Sequence, residues 1–288
     1  MQRPDPSQAD FSSVASKLAI GGISYLNSAP LIWGLREVLG DLDGHPPVRL
    51  DIPSRLADRF AAGALDLALI PTVEHFRISH ASRISDVCIA SDGPVESVIL
   101  LANKPLKQIR KIAVDEGSRT SATLVSILIA EEYGQLPELS VLNMGLSPRE
   151  TGADAVVLIG DRAWQSFHTG YTGFSEMRDI GQWWVDLTGL PFVFALWAAS
   201  RRIMSDETEI ARMLECARDV GLANISKVVS AQSLPTIFSI ESIKKYLTET
   251  IHYKLGERHV EGMELFRTLA DKHGLLQTPV DWPSIEED

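Results

Sequence analysis

Three hydroxyl-bearing residues and an arginine stand together where a predicted strand passes into a predicted helix. They belong to the segment Asp115-Glu-Gly-Ser-Arg-Thr-Ser121. The first N–H groups of a helix have no acceptor within the helix, and anions bind to them readily. The segment therefore predicts a carboxylate site, with plain helix capping as the simpler alternative. The predicted site consists of Ser118, Arg119, Thr120 and Ser121.

A second polar turn, Tyr25-Leu-Asn-Ser-Ala-Pro30, joins the first predicted strand to the first predicted helix. Open α/β sheets hold their ligands in the loops that follow the carboxyl ends of their strands. Tyr25 and Asn27 are therefore predicted to face a ligand cleft. The alternative is that Asn27 only caps the helix, in which Pro30 suits the first turn.

Polar residues also follow two further predicted strands. The segment Ser91-Asp-Gly-Pro-Val-Glu-Ser97 offers the hydroxyls of Ser91 and Ser97 beside a tight Gly-Pro turn. Gly160 and Asp161 come directly after a buried strand, as the opposing edge of a cleft would. Asp161 could equally cap the helix that follows.

Aromatic residues supply a candidate apolar wall for a ring-shaped ligand. Phe192 and Phe194 alternate along an apolar stretch, and Trp183 and Trp184 come shortly before it. Aromatic residues at strand spacing usually pack in a core, so core packing is the alternative to a ligand wall. Phe192 is the candidate substrate contact.

The order of the predicted elements favours an α/β protein with two lobes and a ligand cleft between them. Strands and helices alternate at first, which implies a parallel sheet with right-handed crossovers. The pattern restarts after residue 104, and the apolar strand near 192–199 implies a return to the first lobe. The predicted parts are a disordered extension at 1–16, a discontinuous first lobe at 17–101 plus 197–288, a second lobe at 102–196, and extra C-terminal helices near 206–229, 239–254 and 257–273.

Composition narrows the classes of partner. The 288 residues include 27 Lys and Arg against 38 Asp and Glu, a net charge of −11, which leaves no basic face for nucleic acid. Residues 1–16 lack the apolar run of a signal peptide or membrane span, and the two cysteines have no metal spacing, so a cytoplasmic protein is predicted. No dinucleotide, phosphate-loop, nucleophile-elbow or zinc motif occurs, and neither cofactor nor metal is predicted. The oligomeric state stays open.

Together these segments resemble the chorismate dehydratases of menaquinone biosynthesis, a family of the futalosine pathway. The resemblance extends over roughly residues 18–276. It implies the two-lobed fold of type II periplasmic binding proteins. The matching segments are Tyr25-Leu-Asn-Ser-Ala-Pro30, Asp66-Leu-Ala-Leu-Ile-Pro71 with Glu74, Gly93-Pro-Val-Glu-Ser-Val98, Asp115-Glu-Gly-Ser-Arg-Thr-Ser121, Ile159-Gly-Asp161, Asp179-Ile-Gly…Trp184…Thr188-Gly-Leu-Pro-Phe-Val-Phe194 and Tyr253…Leu255-Gly…Gly262…Phe266.

The resemblance implies that chorismate loses water without a cofactor and becomes 3-[(1-carboxyvinyl)oxy]benzoate. Residues 118–121 would then hold one substrate carboxylate. Ser97, with Ser91 as the weaker candidate, would bind the second carboxylate or the leaving hydroxyl. Asn27 would orient the reacting face or assist departure of the hydroxyl. Glu74 is the motif carboxylate that could act as the base, and a carboxylate of the substrate is the slightly favoured alternative.

Two other functions stay open. A non-catalytic binding protein for an aromatic acid would use the same cleft, retain its ligand and release no product. The sister enzyme that makes 1,4-dihydroxy-6-naphthoate shares the fold that the resemblance implies. The turn at residues 25–30 argues against it, because that family carries a Pro-Asn-Asp-type loop there.

Overall fold

Two β-sheets lie on opposite sides of a cleft in a computed structural model that describes residues 11–40, 48–143, 145–171, 173–232 and 238–277. The first sheet consists of β1 (Ile20–Ile23), β2 (Arg49–Asp51), β3 (Leu67–Pro71), β4 (Ser82–Ser91), β10 (Phe192–Ala199) and β11 (His252–Lys254). Their order across the sheet is β11-β4-β10-β3-β1-β2. β1 runs parallel to β2 and β3, whereas β10 runs antiparallel to β3 and β4.

The second sheet consists of β5 (Val98–Ala102), β6 (Lys111–Asp115), β7 (Glu138–Leu142), β8 (Ala155–Ile159) and β9 (Glu176–Asp179). Their order is β7-β6-β8-β5-β9. β6 is parallel to β7 and β8, and β5 is antiparallel to β8 and β9. β3, β5 and β8 are buried along their whole length, as strands covered on both faces by other elements must be.

Helices cover both sheets and form the C-terminal part of the described chain. The helices are α1 (Ser12–Ala15), α2 (Ala29–Leu39), α3 (Pro53–Ala61), α4 (Thr72–Arg77), α5 (Arg119–Tyr133), α6 (Gly160–Thr169), α7 (Ile180–Thr188), α8 (Glu207–Ala223), α9 (Ile225–Ser230), α10 (Ile240–Lys245) and α11 (Glu257–Lys272). α2 and α8 approach closely at Gly34 and Gly221, where a Cβ would collide with a backbone carbonyl of the other helix. The late helix α8 therefore packs beside the first sheet, near the start of the chain.

The predicted α/β class is confirmed, but the lobe boundaries differ from the observed sheets. β5 falls mostly within the predicted first lobe, yet it pairs with β8 and β9 in the second sheet. β10 begins in the predicted second lobe but pairs with β3 and β4 in the first sheet. The chain therefore passes between the sheets at residues 92–97, named here the crossover segment. Both strands are apolar throughout, so their sequences do not indicate which sheet they join.

Predictions for the two ends of the chain also need correction. Residues 11–16 are not a disordered extension, because Phe11, Val14 and Ala15 are buried in the hydrophobic core; residues 1–10 and 278–288 lie outside the described part. The predicted helix at 239–254 is divided into α10, a π-helical turn at Tyr246–Thr250 and the strand β11. Pairing of β11 with β4 overrides the local helical pattern.

Candidate active site

A cleft between the two sheets collects residues from several of the predicted motifs. Its empty volume is about 470 Å³, which includes space open to solvent. The first sheet and its loops contribute Ile23, Tyr25, Asn27, Pro53, Pro71, Ile89, Phe194 and Ala195, the second contributes Val98, residues 117–121, Ile159 and Gly160, and the crossover segment contributes Val95 and Ser97. The turns after β1, β6 and β8 thus meet at the cleft, as the sheet architecture predicts.

Residues 117–121, named here the helix-start segment, present donors to the cleft. Ser118 precedes the fifteen-residue helix α5, and its hydroxyl is buried without a hydrogen-bond partner among the described residues. The N–H groups of Thr120 and Ser121 make no bond to a described backbone carbonyl, as expected for the first turn of a helix. The Thr120 hydroxyl is already engaged, since it accepts from the Val73 N–H at 3.2 Å.

Arg119 lines the cleft, but its charge is engaged with two carboxylates of the opposite side. Its guanidinium donates to Asp58 at 2.7 Å and lies 3.6 Å from Glu74. Glu74 in turn accepts from Arg77 at 2.7 Å. Asp58, Arg119, Glu74 and Arg77 therefore form an alternating chain of charges, named here the charge chain. Arg77 extends it to the segment that follows α11 by donating to the carbonyl oxygens of residues 275–277.

Tyr25 and Asn27 enter the cleft from the turn after β1. The Asn27 Oδ1 atom is buried and has no hydrogen-bond partner among the described residues. The Tyr25 ring lies against Gly160, where φ is +62° and a Cβ would come within 2.7 Å of the ring. A side chain at residue 160 would displace Tyr25, so glycine is needed there for both reasons. Burial, together with nearby Asp115, raises the pKa of Tyr25.

Two carboxylates join or stiffen the cleft walls. Asp161 accepts from the Leu26 N–H at 2.8 Å and so connects α6 to the turn after β1. Burial raises the pKa of Asp161, and the Leu26 hydrogen bond opposes that shift. Asp115 accepts from the Ile159 N–H at 2.9 Å and from Arg162 at 3.1 Å. Burial raises the pKa of Asp115 to about 6 despite both contacts.

Ser97 lies at the end of the crossover segment. Its hydroxyl is buried without a hydrogen bond of normal geometry. It lies close enough to the Tyr246 phenol to oppose the rise that burial causes in the pKa of that tyrosine. Ser91 does not reach the cleft lining, because it is fully buried and its hydroxyl donates to the Gly93 carbonyl at 3.1 Å. Ser91 and Ser97, the two predicted candidates for binding the second carboxylate or the leaving hydroxyl, therefore differ in their surroundings: Ser97 lines the cleft and Ser91 does not.

The apolar part of the cleft is formed by Phe194, with Ile89, Val95 and Ile159. Phe192 lies instead in the core, where its ring centroid is 5.3 Å from that of Trp184 and 5.1 Å from that of Phe266. A shift in strand register between Val193 and Ala195 places Phe194 at an irregularity of β10. Such a bulge turns a side chain out of the simple alternation, so spacing alone could not select Phe194.

The cleft brings together eight of the twelve predicted site residues. Those that line it are Tyr25, Asn27, Ser97, Ser118, Arg119, Thr120, Ser121 and Gly160. Four predicted residues do not line it: Glu74 pairs with Arg119, Phe192 packs on Phe194, Asp161 accepts from the Leu26 N–H, and Ser91 donates to the Gly93 carbonyl. Phe194, which the sequence offered only as part of a candidate apolar wall, does line the cleft. Val95 in the lining and Asp58 beside Arg119 were not among the predicted site residues.

In the described part of the chain, no three His, Cys, Asp or Glu side chains are grouped as a metal ion would require. None of the described helices is long and apolar enough to span a membrane. The cleft's donors are thus amides, hydroxyls and one paired guanidinium.

The fold defines the class first: the structure is similar to proteins with the periplasmic-binding-protein fold. A Candida albicans gene product described as having the generic periplasmic binding protein fold matches with a TM-score of 0.54 at 14% identity, covering 94% of this chain and 98% of that one. The alkanesulfonate-binding protein of Xanthomonas axonopodis pv. citri, solved with MOPS bound, gives a TM-score of 0.53 at 15% identity, with coverage of 91% and 94%.

Sequence then gives the family. The profile of the family described as menaquinone biosynthesis matches residues 18–272, so the chain belongs to that family. The chorismate dehydratase of Thermus thermophilus is 28% identical over 275 residues, covering 90% of this chain and 96% of that protein. An Archaeoglobus fulgidus protein of known structure has a TM-score of 0.70 at 14% identity, with coverage of 90% and 98%.

Proposed function

We propose that this protein is a chorismate dehydratase, which converts chorismate to 3-[(1-carboxyvinyl)oxy]benzoate and water. Membership of the menaquinone biosynthesis family and similarity to the Thermus thermophilus enzyme support this proposal. The observation that carries it is the set of unpaired polar atoms in one cleft. Asn27 Oδ1 and Ser118 Oγ come from two segments of the chain and are buried without a partner among the described residues, and Ser97 Oγ, from a third segment, has only the Tyr246 phenol beside it.

Buried polar atoms without partners cost free energy, about 1–3 kcal/mol each. A protein that keeps Asn27 Oδ1 and Ser118 Oγ in this state around one cleft therefore gains when a polar ligand enters. Chorismate carries two carboxylates, a hydroxyl and an ether oxygen on a largely apolar ring. The cleft has two polar edges, the helix-start segment and the crossover segment, and an apolar wall at Phe194. This arrangement suits such a molecule.

The reaction balances without any further reactant. One ring carbon loses its hydroxyl as the C–O bond breaks, and the neighbouring carbon that bears the ether loses a proton. The electrons of the broken C–H bond complete the aromatic ring, while the proton and the hydroxyl leave as water. Because aromatisation supplies much of the driving force, the protein's main contribution is to hold the reacting groups in position.

Each polar edge then has a separate task. The free N–H groups and Ser118 at the start of α5 hold one carboxylate, since that end of a helix favours negative charge. Asn27 and Ser97 contact the leaving hydroxyl or the second carboxylate from the opposite walls. Arg119 contributes its charge through the charge chain, because Asp58 and Glu74 already occupy its guanidinium.

The base is a carboxylate of the substrate rather than Glu74. Glu74 is 6% exposed, lies behind the cleft lining and is paired with Arg77 and Arg119. A paired carboxylate at that position is poorly placed to reach a ring proton in the cleft. A carboxylate of the bound substrate is already in the cleft, so this base requires no further side chain.

The test is incubation of the purified protein with chorismate, without added metal or cofactor, followed by mass spectrometry and ultraviolet spectroscopy. We expect a product lighter by one water with a benzoate-type spectrum. Unchanged chorismate with a folded protein contradicts the proposal. Tight, stoichiometric retention of chorismate would instead support a binding protein, and turnover of a different substrate of the pathway would support the naphthoate-forming sister enzyme.

Glu74→Gln tests the base. We expect the variant to retain turnover within about tenfold of the unaltered protein, because its role is to support Arg119. An inactive variant that still binds chorismate would make Glu74 the base. The cytoplasmic location and the absence of nucleic-acid and membrane partners remain predictions.

A further inference from the structure

Glu96, in the crossover segment, has a backbone conformation that few residues with side chains adopt. Its φ is +59°, and within the described ranges it is the one residue other than glycine with a positive φ. The Ser97 N–H donates to the Val95 carbonyl at 2.6 Å, so the chain makes a three-residue turn around Glu96. A conformation of this kind costs about 1–3 kcal/mol and persists only where the surroundings enforce it.

Three distant segments enforce the turn. Asp179, at the start of α7, accepts from the Glu96 N–H at 2.7 Å and from the Val95 N–H at 3.0 Å. The Glu96 carboxylate lies 2.9 Å from His168 Nε2 and accepts from the Thr250 hydroxyl at 3.2 Å. The second sheet, α6 and the turn before β11 therefore all fix this one residue.

The presence of a side chain at residue 96, where the backbone conformation favours glycine, requires an explanation. A turn that requires positive φ is ordinarily made with glycine, which adopts it without strain. Glycine occurs three residues earlier in the same segment but not at this position. The carboxylate must therefore contribute something that glycine lacks, namely its contacts to His168 and Thr250.

The turn leads directly to a polar atom of the cleft lining. Ser97 follows Glu96, and its carbonyl accepts from the Gly160 N–H at 2.9 Å, which fixes the backbone on the other side of the serine. Its hydroxyl lies at the cleft without a hydrogen bond of normal geometry, beside the Tyr246 phenol. The turn around Glu96 sets the position of the Ser97 Cβ atom and therefore where that hydroxyl can point.

We infer that Glu96 is a positioning residue for the dehydration: its fixed, strained turn directs the Ser97 hydroxyl at the substrate. This inference rests on the proposed function. Glu96 itself does not line the cleft, so it acts through Ser97 and not on the reacting atoms.

A double-mutant cycle with chorismate as substrate tests the inference. Glu96→Ala removes the contacts to His168 and Thr250, and we expect kcat to fall about 10- to 100-fold with little change in KM, as for a misplaced catalytic contact. In a Ser97→Ala background, Glu96→Ala should have little additional effect, because residues that act through one group are not additive. Glu96→Gln should stay within about threefold of the unaltered protein, since an amide can bond to both partners.

Equal losses from Glu96→Ala with and without Ser97 would overturn the inference, because Glu96 would then act only on stability or on another group. Glu264→Ala, which removes an exposed carboxylate on α11, is the matched control and should leave kcat unchanged. The proposed function fails separately, when the unaltered protein does not convert chorismate.

A crystal structure of Glu96→Ala tests the geometry without any substrate. We expect residue 96 to leave the positive-φ region and the Ser97 hydroxyl to move by about 1 Å or more, enough to matter for catalysis. An unchanged turn and an unchanged Ser97 would overturn the inference even if the protein proved inactive with chorismate.

Discussion

The two polar edges of the cleft present similar groups but are built in different ways. The helix-start segment obtains its donors from regular structure, since a fifteen-residue helix begins there and leaves N–H groups unpaired. The crossover segment obtains one hydroxyl from a strained turn that three remote segments hold in place. The first edge depends on local sequence, and the second depends on tertiary structure.

The difference extends to electrostatics. At the helix start, the charge chain pairs Arg119 with two carboxylates. It thereby connects the helix-start segment to α3 and α4, which pack beside the first sheet. At the crossover, the Glu96–His168 pair is partly open to solvent, with side chains 20% and 32% exposed. Damage to the first edge should therefore affect stability strongly, whereas damage to the second should affect mainly catalysis.

Arg119→Met gives the largest expected effect. It removes the Arg119 contact from the partly exposed Asp58 and leaves the buried Glu74 with Arg77, and losing a hydrogen bond between charged groups costs about 1.5–3 kcal/mol. Urea unfolding should show this loss. Arg267→Met is the control, because Arg267 pairs with Glu264 at the surface and its loss should cost less than about 1 kcal/mol. Equal losses in the two variants would contradict the importance of the charge chain.

Asp115→Asn should change the pH dependence of stability. The pKa of this carboxyl is raised from 3.8 to about 6 by burial, so as pH rises from 4 to 6 the unfolded chain loses the proton while the folded protein keeps it. Stability from this group falls over that window and levels off above about pH 7. The variant should gain on the unaltered protein by about 2 kcal/mol between pH 4 and pH 6. The same difference in unfolding free energy between the variant and the unaltered protein at pH 4 and at pH 6 would contradict this.

Ser118→Ala and Ser97→Ala compare the two edges directly. In the proposed function Ser118 binds a carboxylate in ground state and transition state alike, so we expect Ser118→Ala to raise KM about tenfold with kcat nearly unchanged. Ser97 is proposed to act on the reacting groups, so Ser97→Ala should lower kcat instead. Steady-state kinetics with chorismate separates the two results. The same pattern in both variants would remove the functional distinction between the edges.

Asp58→Asn gives the smallest effect and decides what Arg119 does. If Arg119 supports the helix start, the variant loosens that support, and KM should rise by about threefold. If Arg119 binds the substrate itself, releasing it from Asp58 should lower KM. The measured direction of the change distinguishes the two roles.

The helix-start edge could be predicted from the sequence because its signal is local. The hydroxyl-bearing residues at 118–121 stand at the start of a predicted helix, and α5 begins at Arg119 in the structure. The lobe boundaries could not be predicted, since apolar strands such as β5 and β10 fit either sheet. The same limit applies to Phe194, whose place at the cleft depends on a bulge.

The crossover edge was only partly predictable. Ser97 belongs to a recognisable segment and is the preferred candidate over Ser91, but the bond from the Ser91 hydroxyl to the Gly93 carbonyl, which separates the two in the structure, leaves no signal in the sequence. The position of Glu74 behind the lining likewise depends on Arg77 and Arg119, which are three and 45 residues away along the chain. Tertiary contacts of this kind leave no local pattern.

A crystal structure with 3-[(1-carboxyvinyl)oxy]benzoate bound is the most direct test of the proposed binding mode. We expect the ring against Phe194 and one carboxylate within about 3 Å of the Thr120 and Ser121 N–H groups and Ser118 Oγ, with Arg119 still paired to Asp58. The Ser97 and Asn27 side chains should contact the other end of the molecule. A ligand bound elsewhere, or a carboxylate on an Arg119 released from Asp58, would contradict it.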